Sequence, residues 1–257
     1  MFVDLTPLYP LLVPFLLVLF RVLGLFVFVP VFSNAAIPTN IKVLLSLAIT
    51  LCVWNSVPHT TATPNTLAGL VVAVAGEMSV GLIIGMLVGG VFTGVQLGAH
   101  FISQQMGLSM ANIYDPSFED QSTVIEQVGF WIALVAFLSM GGHREILNSI
   151  IYSYRVVPMG GGGMSPDMML AAACGSLDTA MHAAVRVAMP GLVAFFIATL
   201  TAGLMSRAMP QMNMMTLGVH INLIVGFFMV MSGMAGWAMV SKASFRAMFD
   251  VLGKLLG

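Results

Sequence analysis

Residues 67–101 read LAGLVVAVAGEMSVGLIIGMLVGGVFTGVQLGAHF, with Glu77 as the one formal charge. As a single helix these 35 residues extend about 52 Å at 1.5 Å per residue. A bilayer core is crossed by about 20 residues, and two crossings with a turn take over ~40. The stretch is too long for one span and too short for two. Residues 208–241 repeat the problem with 34 uncharged residues, whereas residues 124–140, at 17, lie at the lower limit of a span. Residues 187–206, bounded by Arg186 and Arg207, have ordinary span length, although Pro190 lies inside. The run Leu8–Phe32 holds nineteen Leu, Ile, Val or Phe residues around Arg21 and is punctuated by Pro10, Pro14 and Pro30. It reads as retained, because no positive charge precedes Arg21 as a secretory leader would require. Ile41–Trp54 is short, with Lys42 at its start, and residues 58–66 read as a loop. Such lengths suit broken or re-entrant helices surrounded by other protein, or long helices projecting from the bilayer.

Composition bounds the class. The 257 residues are 59% hydrophobic and 7% charged, with net charge −1. A soluble domain carries about 25% charge, so lipid or apolar neighbours must cover most of this surface. The same balance excludes intrinsic disorder, a disulfide scaffold and a nucleic-acid binder. Cys52 and Cys174 lie in apolar stretches, and the five histidines are dispersed without a metal-binding pattern. No hydrolytic or redox constellation can be assembled, so an enzyme, a cofactor and a metal are not expected. The expected class is an all-α membrane protein.

Two glycine ladders mark residues 67–101: Gly81, Gly85, Gly89, then Gly90, Gly94, Gly98. Four-residue spacing aligns each trio on one helix face, where another backbone can approach closely. That approach serves packing within the chain or a seam against another subunit. Arg21, Glu77 and Arg186 lie in or beside apolar runs. Charge at membrane depth is expected to be paired or to face a wet cavity, and pairing with another subunit is the expectation here. The most polar stretch, residues 103–123, mixes amides, small residues and methionines. It is an ordinary loop or one that folds back to line or block a cavity. The 22 methionines serve as adaptable core packing or as a compliant lining.

Three segments in order resemble the FliR family of type III export-gate proteins. The first is Phe20-Arg-Val-Leu-Gly-Leu-Phe-Val-Phe-Val-Pro-Val-Phe-Ser33, followed by Ile37-Pro38 and Ile41-Lys42. The second is Gln105-Met-Gly-Leu-Ser-Met-Ala111 with Asp115-Pro116. The third is Arg207 with Pro210-Gln-Met-Asn213, then Leu217 and Asn222. The resemblance implies a single copy in a helical assembly with several copies of FliP and FliQ. That assembly sits in the inner membrane at the flagellar basal body, much of it on the periplasmic side. Residues to about 185 would pack like FliP, and residues from about 186 to 257 like a FliQ helical hairpin.

The central loop, Met106 to Ser122, would plug the channel for unfolded flagellar subunits, with Met106, Gly107, Leu108, Ser109, Met110, Ala111, Asn112, Ile113, Tyr114, Asp115 and Pro116 as the plug residues. The turn holding Arg207, Pro210, Gln211, Met212 and Asn213 would face the cytoplasmic entrance near FlhB. Phe118-Glu119-Asp120 makes the loop's end acidic, where the family pattern leads us to expect small polar residues. Injectisome relatives share the fold, and the Met106–Ala111 and Asp115-Pro116 motifs tilt toward the flagellar branch. A proton-coupled small-solute transporter built around Glu77 and Arg186 is the alternative from another class.

Overall fold

The computed structural model describes residues 9–33, 38–57, 66–108, 123–160, 163–208 and 214–256. These residues form eight helices and no strand. They are α1 (Tyr9–Phe28), α2 (Pro30–Ser33), α3 (Thr39–Trp54), α4 (Leu67–Gln105), α5 (Val124–Ser139), α6 (Gly142–Val156), α7 (Pro166–Ala208) and α8 (Met214–Leu256). The chain is an all-helical membrane protein. Three of its helices are long and apolar enough to cross a bilayer, and α5 with α6 forms a further candidate span bent by 67°.

Helix lengths depart from the expected segments in instructive ways. The 67–101 stretch is one unbroken helix that continues to Gln105, 39 residues in all. The 187–206 segment is only the second half of α7, which begins at Pro166 and holds 43 residues. Arg186 does not end it, and Pro190 is accommodated within it. Proline removes one backbone donor, a local loss in a helix this long. Of the 208–241 stretch, residues 214–241 belong to a 43-residue helix that carries the basic C-terminal segment through Lys254. At about 58–64 Å, α4, α7 and α8 are each twice the thickness of a bilayer core. The short 124–140 segment ends at Met140 and Gly141, where a left-handed backbone (φ +77°) turns the chain into α6.

The chain divides into two compact units, and α4, α7 and α8 each contribute to both. The first comprises residues 1–90, 141–177 and 246–257. Within it α1 lies on the first glycine ladder of α4. A side chain at Gly81 would collide with the Arg21 carbonyl, and a Cβ at Gly85 would sit 2.8 Å from the Leu25 carbonyl oxygen. At Gly89 the corresponding distance to the Phe28 carbonyl is 2.5 Å. The approach is reciprocal, since a Cβ at Gly24 would lie 2.5 Å from the Met78 carbonyl. The second ladder begins here too: Gly90 faces Ser176 of α7, whose hydroxyl donates to the Met86 carbonyl at 3.1 Å. Glycine inside a helix costs about 1 kcal/mol relative to alanine, so contact between backbones must offset several such terms.

The second unit comprises residues 91–140 and 178–245. Here Gly94 faces the Ala180 carbonyl, and Gly98 faces Ala184 and Val187. Phe92, Phe137 and Phe245, all buried, form an aromatic triangle with ring centroids 5.0–5.6 Å apart. Aromatic pairs at such separations add roughly 0.5–1.5 kcal/mol beyond their buried area. α7 and α8 expose apolar side chains at helical spacing, among them Met181, Val185, Met189, Val193 and Phe228. Their most apolar windows are only 22% and 17% buried, against 56% for α4.

The two ladders make a differential prediction for the purified chain in detergent. Gly94→Val, which drives a branched side chain into the Ala180 carbonyl, should lower the unfolding temperature sharply and reduce membrane accumulation. Gly203→Ala, with no neighbour within 4 Å, should leave stability unchanged or raise it by up to about 1 kcal/mol. Equal behaviour of the two variants in a thermal unfolding assay would contradict the packing described.

Candidate functional site

Among the described residues the most polar buried centre lies in the first unit, and its geometry follows from the first ladder. Glu77 stands one turn before Gly81 on the same face of α4, and Arg21 supplies the carbonyl that Gly81 meets. The Arg21 side chain therefore reaches back one turn. Its Nε donates to Glu77 Oε2 at 2.6 Å, Nη1 to Ser153 Oγ at 2.7 Å, and Nη2 to the Val157 carbonyl at 3.0 Å. The other Glu77 oxygen accepts the Gly160 backbone N–H at 3.0 Å. The guanidinium also lies over the Tyr154 ring, 3.6 Å from its centroid. Arg21 is fully buried and Glu77 is 2% exposed.

Two desolvated charges each cost several kcal/mol, which their attraction repays only with good geometry and satisfied remaining groups. Three guanidinium N–H groups and both carboxylate oxygens are bonded here, while the Tyr154 hydroxyl beside them is buried with no hydrogen-bond partner among the described residues. The pair sews α1 to α4, and its outer bonds reach α6 and the Val157–Gly160 turn. Arg21 and Glu77 thus find each other within one chain, where pairing with another subunit was the expectation. Arg186 does not join them: it is exposed on α7, in the second unit. Ser153, Tyr154, Val157 and Gly160 were missed by the sequence reading. Gly160–Gly163 reads as a plain connector, yet Gly160, at φ +72°, donates to the carboxylate. The available signal was the spacing Ile146, Ile150, Ser153, Tyr154, Val157, a buried face of α6 and its end with a hydroxyl in its middle.

In the second unit a polar stem flanks the central loop. α4 ends in a Schellman motif: Leu108 N–H bonds the Ser103 carbonyl at 3.3 Å, and Gly107 N–H that of Gln104 at 3.0 Å. Gly107 takes the left-handed conformation this motif needs, at φ +79°. Met106 is buried against Gly226 of α8, where a Cβ would strike its thioether. On the far side of the loop, Thr123 and Glu126 form a capping box at the start of α5. Glu126 Oε1 accepts the Thr123 hydroxyl at 2.7 Å and also pairs with His100 Nδ1 of α4 at 2.9 Å. Gln104 Nε2 meets the opposite ring nitrogen of His100 at 2.8 Å. One hydrogen-bonded chain therefore ties the two feet of the loop together. The Thr123-x-x-Glu126 spacing is a capping signature readable in the sequence, but its link to His100 is not.

Of the expected plug residues, Met106, Gly107 and Leu108 belong to this stem. Ser109, Met110, Ala111, Asn112, Ile113, Tyr114, Asp115 and Pro116 lie outside the described residues. Arg207 is exposed on the last turn of α7, while Pro210, Gln211, Met212 and Asn213 lie outside the described residues. Among those that are described, no group of three His, Cys, Asp or Glu could hold a metal ion.

Long apolar helices, glycine seams and one desolvated ion pair define a helical membrane protein whose outer faces are built to be covered. The chain belongs to the bacterial export proteins, family 1, whose model matches residues 12–248. It is similar to the flagellar biosynthetic protein FliR of Escherichia coli (strain K12), with 26% identity over 239 residues, covering 93% of this chain and 90% of that protein. FliR of Bacillus subtilis (strain 168) is 25% identical, covering 94% of each chain. FliR of Caulobacter vibrioides is 27% identical, covering 91% of this chain and 94% of that one.

The ion pair carries a quantitative prediction. Arg21→Met or Glu77→Leu should each cost about 3–5 kcal/mol, because an uncompensated charge stays buried. The Arg21→Met/Glu77→Leu double variant should cost less than the sum by about 1–3 kcal/mol. It should not reach wild-type stability, since the Gly160 N–H and Val157 carbonyl lose their partners. Chemical denaturation of the four chains in detergent measures this cycle, and strictly additive costs would show that the pair is not coupled.

Proposed function

We propose that this chain is a structural, non-enzymatic subunit of the type III gate that exports flagellar proteins across the bacterial inner membrane. The observation that carries the reading is the family match, which runs through residues 12–248 and so covers nearly the whole chain. FliP and FliQ, in several copies each, are the partners that cover the apolar faces of α7 and α8. FlhB meets the Arg207–Asn213 turn at the cytoplasmic entrance, and unfolded flagellar subunits are the cargo. Residues to about 185 pack as FliP does and the remainder as a FliQ hairpin, a division that falls inside α7. The assembly belongs to the flagellar basal body, with much of it on the periplasmic side.

In this reading residues 106–116 plug the closed channel. The stem supports it physically. The Schellman cap, the capping box and the His100–Glu126 contact fix the two described ends of this segment against each other. Gly226 leaves room for Met106 at one of them, so that end is anchored by packing as well as by hydrogen bonds. The rival solute transporter is not favoured. Glu77 is buried with both carboxylate oxygens bonded, and Arg186 is exposed.

Tagging the chain at its chromosomal locus and solubilising the membranes gently tests the assembly. Recovery with several copies each of two small hydrophobic proteins is expected, and recovery as a lone monomer or homodimer would overturn the proposal. The plug has its own test. Deleting residues 109–116, which spares the Schellman cap and the capping box, should leave the complex assembled and raise ion conductance across the membrane. Wild-type conductance in an assembled complex would remove the plug assignment.

A further inference from the structure

α7 carries a charge that the rest of the chain does not use. Arg186 is exposed, and among the described residues it has no hydrogen bond, ion pair or ring contact. The nearest acid on its own helix is Asp178, two turns back and about 12 Å away along the axis. Asp178 lies beside His182 instead, at 3.5 Å. Pro190, four residues on, brings no N–H to the Arg186 carbonyl. Arg186 also lines a cavity of about 130 Å3 within the second unit, together with Val187, Pro190, Gly191, Gly233 and Trp237. It is the one charged group among the described residues that line it. A helix about 10–12 Å across cannot enter this space, but a single side chain can.

The surface that follows Arg186 has a definite period. Met189, Val193, Phe196 and Leu200 are all exposed, and Gly203 has no neighbour within 4 Å. From Arg186 onward these residues stand at alternating steps of three and four. Arg186, Val193 and Leu200 thus take one core position of a heptad, and Met189, Phe196 and Gly203 take the other. Such a seam is what a second helix covers with knobs in holes, and a bare glycine lets its backbone come close. Lipid asks for no such period.

We propose that the seam takes one apolar helix of a partner subunit, and that this helix brings a carboxylate to Arg186. The inference rests on the assembly proposed above and names the contact that sets one of its helices in register. When such a helix covers α7, Arg186 loses its solvent, and an unpaired guanidinium among apolar groups is costly. A carboxylate placed there accepts two parallel N–H bonds from the guanidinium. A helix shifted by one heptad leaves both charges unpaired. One polar residue in an apolar seam fixes register in this way, at some expense of stability.

Photocrosslinking and charge exchange on the full chain in its membrane complex test this. A benzoylphenylalanine in place of Val193, two turns from Arg186, should give an adduct with a peptide of an apolar helix that holds an Asp or Glu. Arg186→Glu should lower recovery of that subunit with the tagged chain by about tenfold or more. The unfolding temperature of the Arg186→Glu chain alone in detergent should match the parent's, since Arg186 is exposed and bonds nothing there. Replacing the partner's acid by Arg should lower recovery with the parent chain and restore it with Arg186→Glu. A lipid adduct at position 193, a crosslinked peptide without an acid, undiminished recovery with Arg186→Glu, or an exchange that restores nothing would each overturn the proposal. In all four cases the assembly itself stands as long as the parent chain recovers its partners. A parent chain recovered alone would remove the assembly, and this contact with it.

Discussion

The contact between α1 and α4 at Gly81 constrains everything around it. With no Cβ in the way, the Arg21 carbonyl comes against the α4 backbone. That closeness places the guanidinium where it can reach Glu77 one turn back and still span to Ser153 and Val157. Any side chain at Gly81 would push α1 outward, and the pair would lose its geometry while its desolvation cost remained. Burial of the charges and the glycine ladder are therefore one feature. The ladder brings the helices close enough for a short, buried pair, and the pair fixes one register among the several a glycine face allows.

The same helix applies this logic twice, on faces offset by one residue. Gly81, Gly85 and Gly89 take α1, while Gly90, Gly94 and Gly98 take α7. α4 consequently has close neighbours along most of its length and is the most buried of the three long helices. α7 and α8, by contrast, keep broad apolar faces outward. A protein organised in this way has one close-packed helix and two that present apolar faces for lipid or other chains to cover.

Legibility from sequence followed the nature of each signal. The glycine spacing was readable because four-residue periodicity survives any tertiary context. Which helix each ladder would meet was not, since spacing carries no identity of the partner. Overlong apolar stretches were legible as a mismatch with the bilayer, and α4 and α8 are long as that mismatch requires. The start of α7 was misread because Arg186 looks like a boundary, yet a charge can stay exposed on a continuous helix. Arg21 and Glu77 were readable as charges needing compensation. Ser153, the Val157 carbonyl and the Gly160 N–H were not, because two of those three partners are backbone groups that every residue possesses. The FliR-like motifs supplied what spacing lacked, a family, and the match over residues 12–248 agrees with it.

Hydrogen exchange on the Arg21→Met chain, compared with the parent, tests the central claim most directly. If the Arg21–Glu77 pair holds the first unit together, amides of α1, of α6 and of α4 up to Gly90 should lose protection together, while those of α4 beyond Val91 and of α5 keep theirs. Loss confined to α1, or no loss at all, would show that the glycine contact stands without the ion pair and would contradict the account.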